Sequence, residues 1–249
     1  MAVKRGPSPE PHDADAGRAS VSPPTHEETR LEAPIRLPGA FYGALRALAH
    51  LINRSYWRVS VEGASVPETG AVILAPVHRS LIDFFVVSEA VARARKLFFM
   101  TKDDLWHSRV LGTFLDSVGA FPIHREGTDR LALRRAEDVL RHGEVLVMFP
   151  EGTRRAGPLV ENLEEGAAFL AARTGAAIVP IGVGGTTEAL PKGSRLPRPV
   201  RVHLVIGDAL VVPQRASGRT PRREVRELSA RLCSELQRVY DVARSRVRD

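Results

Sequence analysis

Apolar residues recur along this chain in two rhythms. Short runs rich in Val, Ile, Leu and Phe, bounded by Gly, Pro or charged residues, predict strands at 58–62, 71–76, 96–100, 120–123, 145–149, 177–182 and 200–206. Spacings of three and four between them predict helices. Residues 81–92 form one after the second run. Residues 128–142 place Leu133, Ala136, Val139 and Leu140 on one face, with Gly143 at the position that ends a helix. Residues 163–174 precede Gly175 in the same way. Strands alternating with helices predict an α/β fold with a mostly parallel central sheet of about seven strands, flanked by helices. In such sheets functional groups gather at the carboxyl ends of the strands.

Two more amphipathic stretches lie outside this alternation. Over residues 41–57, Phe41, Leu45, Leu48, Ile52 and Tyr56 share one helical face, while Arg46, His50 and Arg54 lie elsewhere. This N-terminal amphipathic helix has two readings, packing on the core or lying in a membrane interface. Near the other end, Pro221 opens a helix in which Val225, Leu228, Leu232, Leu236, Val239 and Val242 make an apolar face. Arg222, Arg223, Arg226, Arg231 and Arg238 decorate its other faces. Residues 214–249 are thus a basic amphipathic helix whose cations face either water or anionic lipid. Residues 1–33 are rich in Pro, Ala, Ser and acidic groups, with almost no large apolar side chains, and are expected to form a disordered tail.

Composition narrows the classes. A chain of 249 residues, 43% hydrophobic, can build one large α/β domain. No apolar run reaches the length of a membrane span, and the first 33 residues lack a secretory pattern. The net charge of +7 favours anionic partners, either phosphorylated metabolites or an anionic membrane. Nucleic acid is not expected, because zinc-finger spacing and RNA-binding aromatic signatures are missing. The single cysteine, Cys233, rules out an intramolecular disulfide and sits between Leu232 and Leu236 as a packing residue.

The chemistry concentrates in three blocks. In APVHRSLIDFF, His78 and Asp83 are separated by four residues at a strand-to-helix turn. Neutral imidazole accepts a proton from a hydroxyl while a carboxylate holds its other ring nitrogen. A lone pair of this kind is more often structural, so the other blocks matter. GAFPIHR ends in Arg125, and FPEGTRR contains Glu151, Gly152, Thr153 and Arg154. Arginine binds phosphate bidentately, and Gly152 permits a tight turn. The chain has no Gly-x-Ser-x-Gly elbow, and Ser80 reads as a turn or cap residue. Gly182, Gly184 and Gly185 do not form a dinucleotide fingerprint, and no metal-ligand cluster stands out.

In this order, and with Val179-Pro180-Ile181 as a fourth piece, the blocks resemble the glycerolipid acyltransferase family, the lysophosphatidate acyltransferases in particular. The resemblance covers roughly residues 55–210 and implies an acyltransferase domain over 34–213. It implies transfer of a fatty acyl group to the free hydroxyl of lysophosphatidate, giving phosphatidate in phospholipid biosynthesis. Acyl-CoA or acyl-carrier protein would be the co-substrate, with no other cofactor and no metal. His78 would be the base and Asp83 its orienter. Arg125, Gly152, Thr153 and Arg154 would bind the acceptor phosphate, with Glu151 assisting.

Some positions depart from this pattern. Val77 stands where many lysophosphatidate acyltransferases place Asn. HRS followed by IDF also looks like the first block of glycerol-3-phosphate and dihydroxyacetone-phosphate acyltransferases, whereas FPEGTR looks like the lysophosphatidate branch. Glycerol-3-phosphate or another lipid alcohol therefore stays open as acceptor. A non-catalytic lipid-binding protein and a hydrolase are rivals from other classes. Many relatives begin with a membrane span. The expectation here is peripheral attachment on the cytoplasmic side, through residues 41–57 and the C-terminal helix.

Overall fold

All seven predicted apolar runs form strands. The computed structural model describes residues 39–123, 129–212 and 221–248, so the expected tail at 1–33 and Arg125 lie outside the described residues. The strands are β1 (Ser60–Gly63), β2 (Val72–Pro76), β3 (Leu97–Lys102), β4 (Ala120–Ile123), β5 (Val145–Val147), β6 (Ala177–Gly184) and β7 (His203–Ile206). They make one sheet in the order β1-β7-β6-β2-β5-β3-β4. Every neighbouring pair is parallel except β6–β7. The central strand β2 is buried at all its positions, as a parallel strand covered on both faces must be.

Side chains alternate along β2 between two cores. Val72 and Leu74 join one cluster, and Ile73 and Ala75 join the other. The helices are α1 (Gly39–Ser55), α2 (Asp83–Val86), α3 (Arg109–Ser117), α4 (Arg130–Arg141), α5 (Gly166–Thr174), α6 (Thr186–Ala189) and α7 (Arg222–Arg248). Ala136, Val139 and Leu140 of α4, with Ala167, Leu170 and Ala171 of α5, pack against the Ile73 side. Val86 of α2, with Leu236, Val239 and Tyr240 of α7, packs against the Leu74 side. α4 starts where Asp129 accepts from Ala132 N, and α5 ends at Gly175 with φ 73°.

α7 is part of this body, because its apolar face lies directly on β6. Two glycines make the approach possible: a Cβ at Gly182 would stand 2.1 Å from Val239 O, and one at Gly184 2.2 Å from Ala243 O. The glycine cluster at the end of β6 is thus a packing seam. The cations of α7 are largely paired. Arg223 meets Glu227, Arg226 meets Glu165, Arg238 meets Glu235, Arg244 meets Asp241, and Arg246 meets Glu62.

α1 is docked the other way round. Tyr42 accepts a hydrogen bond from Leu97 N at 2.9 Å, and Arg46 donates to Ser88 O and Val91 O, both at 3.2 Å. His50 lies 2.7 Å from Glu89, and the fully buried Asn53 donates to Phe85 O at 3.0 Å and to Glu89 at 2.9 Å. The face turned inward is therefore the polar one. Phe41, Leu48, Leu51, Ile52 and Tyr56 are exposed.

One predicted helix is much shorter than its pattern. Residues 81–92 yield only α2 and a 3-10 turn, Val87–Ala90. Asp83 accepts from the backbone of the preceding loop, which delays the helix start, and the backbone is extended by Val91. Conversely, α3 forms where no element was expected. Ser108 caps it by accepting from Leu111 N.

Candidate active site

β2 carries the chain to Pro76, and the next residues turn across the carboxyl end of the sheet. There His78 Nδ1 lies 3.0 Å from Asp83 Oδ2. The same oxygen accepts from Arg79 N and Ser80 N, each at 2.7 Å. Asp83 is fully buried, and these bonds to one of its oxygens fix the orientation of its carboxyl group. With Nδ1–H donating to Asp83, the lone pair of His78 rests on Nε2. The imidazole is tilted against the Phe149 ring at 4.1 Å and meets the edge of Phe84 at 5.8 Å. Both rings limit the orientations open to it.

A second network supports the first from beneath. Glu151, at the end of the β5 loop, accepts from Arg79 Nη1 at 2.6 Å on each carboxylate oxygen and from His78 N at 2.8 Å. Arg79 also donates from Nε to Tyr240 Oη at 3.1 Å and from Nη2 to Leu159 O at 3.0 Å. Its guanidinium lies over the Tyr240 ring at 4.7 Å. Burial works against the charge on Arg79, but Glu151, with help from Tyr240, more than restores it, so its pKa is raised. Removing one partner of such a buried pair typically costs about 3–5 kcal/mol, because the other charge is stranded.

This network turns Glu151 inward. Its carboxylate is committed to Arg79 and the His78 backbone. Gly152 makes the turn that follows, with φ +66°, and Arg155 N donates to His78 O at 2.9 Å. Thr153, Arg154 and Arg155 are exposed, and their side chains have no partner among the described residues. Their loop is tied to the His78 backbone, through Arg155 N to His78 O and His78 N to the Glu151 carboxylate. Arg125 lies outside the described residues, though β4, which leads towards it, ends at the same rim.

Other candidates are settled by their contacts. The Ser80 hydroxyl donates to Leu190 O at 3.0 Å, as a turn residue does. Cys233 donates to Val160 O at 3.3 Å, and burial pushes its thiol pKa up, opposite to what a nucleophile needs. Sequence reasoning left Arg79 and Tyr240 without a role. Arg79 stood in plain view beside His78, but Tyr240 carried no local signal.

A histidine held by a buried carboxylate at the carboxyl rim of an α/β sheet suits base-assisted group transfer. Residues 58–184 match the Acyltransferase family, a stretch that includes His78, Asp83 and Glu151 through Arg154. The chain belongs to that family. It is 28% identical over 144 residues to a chloroplastic 1-acyl-sn-glycerol-3-phosphate acyltransferase of Arabidopsis thaliana, covering 56% of this chain and 39% of that one. It is 25% identical over 146 residues to the 1-acyl-sn-glycerol-3-phosphate acyltransferase of Bacillus subtilis, covering 59% and 70%. Over 101 residues it is 30% identical to a lyso-ornithine lipid O-acyltransferase of Rhodobacter capsulatus, covering 40% and 34%. The chain thus spans between 34% and 70% of the length of these curated relatives. The crystal structure of a 1-acyl-sn-glycerophosphate acyltransferase from Thermotoga maritima shares the fold, with a TM-score of 0.62, 21% identity and 86% of each chain covered.

Proposed function

We propose that this protein transfers a fatty acyl group from a thioester donor, acyl-CoA or acyl-carrier protein, to the free hydroxyl of lysophosphatidate, giving phosphatidate. The observation that carries this reading is the buried His78–Asp83 pair, whose turn is bonded to the loop that carries Thr153, Arg154 and Arg155. The acceptor oxygen attacks the thioester carbonyl carbon while its proton passes to His78 Nε2. Asp83 holds the imidazole in place and stabilises the imidazolium. The tetrahedral intermediate then collapses, the C–S bond breaks, and the thiolate takes the proton from His78. Thr153 and Arg154, together with Arg125 from the end of β4, bind the acceptor phosphate. Arg79 and Glu151 are positioning residues that fix the turn carrying the base. Leu81 and Phe85 are exposed next to this turn and suit an acyl chain.

The apolar face of α1 supports a peripheral membrane contact, which would bring a lipid acceptor to the site. Among the described residues no helix is long and apolar enough to cross a bilayer. A second acceptor, glycerol-3-phosphate, is favoured by the HRS and IDF pattern around His78.

The test is acyl transfer by purified protein, wild type beside His78→Ala, with palmitoyl-CoA or acyl-carrier protein as donor. Each acceptor is offered in turn. We expect phosphatidate from the wild type and a loss of about 10²–10⁴ in rate for His78→Ala. Equal rates for the two proteins would remove the base assignment. Lysophosphatidate left unused while glycerol-3-phosphate is acylated would move the acceptor.

A further inference from the structure

Much of the positive charge that the composition places near the C-terminus is paired. Residues 214–249 are the arginine-rich part of the sequence, yet the cations of α7 are largely neutralised by ion pairs. The segment joining β6 to β7 differs. After Glu188 it carries Lys192, Arg195, Arg198 and Arg201, with no further acidic residue before Asp208. All four cations are exposed, and among the described residues none has an ion-pair partner.

This connection is pinned rather than loose. Leu190 O accepts from Ser80 Oγ at 3.0 Å, Ala189 O accepts from Arg198 N at 2.7 Å, and Val202 N donates to Trp57 O at 3.0 Å. Tyr56, at the end of α1, donates from Oη to Pro197 O at 2.7 Å. The pins hold Leu196 outward at 78% exposure, between Arg195 and Arg198. The connection leaves β6 at the carboxyl rim, where His78 lies, because β6 runs parallel to β2 with Ile181 opposite Pro76. The exposed apolar face of α1 meets the connection at Tyr56.

An apolar tip collared by unpaired cations, continuous with an apolar helix face, fits one surface chemistry best: a bilayer containing anionic headgroups. An acidic carrier protein would complement the charge, but it gives no use for Leu196 or for continuity with α1. We propose that the β6–β7 connection is a second membrane contact. Lys192, Arg195, Arg198 and Arg201 would engage anionic phospholipid headgroups while Leu196 enters the interface. The connection is bonded to the turn that carries the base, so this contact would set how the site faces the bilayer. The inference rests on the peripheral-membrane reading of α1 and adds lipid-charge selectivity to it.

The test is co-sedimentation with vesicles of phosphatidylcholine alone or mixed with phosphatidylglycerol, at low and high salt. Three proteins are compared: wild type, the fourfold variant K192Q/R195Q/R198Q/R201Q, and Leu51→Ser on α1. We expect the fourfold variant to lose affinity for phosphatidylglycerol vesicles by about five-fold per cation at low salt. Its binding to pure phosphatidylcholine, and its transfer from a short-chain acyl-CoA to detergent-dispersed acceptor, should not change. Leu51→Ser should weaken binding to both kinds of vesicle. Unchanged affinity of the fourfold variant for phosphatidylglycerol would overturn this proposal while leaving α1 as the anchor. So would unchanged vesicle binding with selective loss of transfer from acyl-carrier protein, which would make the connection a carrier dock. Failure of the wild type to bind either vesicle would sink the membrane reading itself, and this inference with it.

Discussion

The first and last helices carry the same kind of pattern and are used in opposite senses. α1 and α7 are both amphipathic, with apolar residues at spacings of three and four and arginines on other faces. α7 buries its apolar face on β6 and pairs most of its arginines at the surface. α1 spends Tyr42, Arg46, His50 and Asn53 on the body of the protein and leaves its apolar face outside. The difference teaches that amphipathicity defines two faces without saying which one looks inward. For α1 the choice is made by what lies beneath it: the carbonyls of Phe85, Ser88 and Val91 and the carboxylate of Glu89. Buried acceptors need donors, and only the polar face supplies them.

The largest test of this contrast is truncation of a leucine in each helix. Leu236→Ala in α7 removes a fully buried side chain and should cost about 2–5 kcal/mol. Leu51→Ala in α1, at 61% exposure, should change stability by less than about 0.5 kcal/mol. Urea unfolding reads both, and similar losses would mean that α1 packs its apolar face after all.

Next in size are the polar braces by which both helices hold the turn and helix around His78. Tyr240→Phe deletes the bond from Arg79 Nε, and a bond to a charged group contributes about 1.5–3 kcal/mol. Asn53→Ala removes the bonds to Phe85 O and to the Glu89 carboxylate and should cost about 1–3 kcal/mol. If the Tyr240 brace positions the base, kcat should fall with KM little changed. An unaltered kcat would make Tyr240 purely structural.

The smallest effect concerns the tie between α7 and β1. The hydrogen bond from Arg246 is the main cause of the lowered pKa of Glu62, set against the ordinary 4.5. A carboxylate with a depressed folded pKa adds stability above its unfolded pKa and loses it as pH falls through the folded one. Arg246→Gln should therefore be slightly less stable than wild type near neutrality and equal to it in strong acid. A constant difference across that range would show that the pair does not act through Glu62 ionisation.

Much of the fold was legible in the sequence. The apolar runs mark every strand, and β4 has its expected bounds. β5 ends before its run does and β7 begins after its run does, because the ladder pairs only part of each. The helix expected at 81–92 was misread because Asp83 serves the loop before it, so the segment begins as a turn. The His78–Asp83 pair was legible because both members lie on one short turn. The direction of Glu151 was not, since it depends on Arg79, 72 positions away.

The sequence by itself determined most of the elements and the His78–Asp83 pair, because strand alternation, helical spacing and a short turn are local properties of the backbone. Only the tertiary structure decided which face of α1 looks inward, that Tyr240 reaches Arg79 across 161 positions, and that the cations between β6 and β7 have no ion-pair partner among the described residues. Those outcomes depend on which groups meet when distant segments pack. Whether a charge is neutralised or left free follows from its neighbours in space, which a linear pattern does not contain.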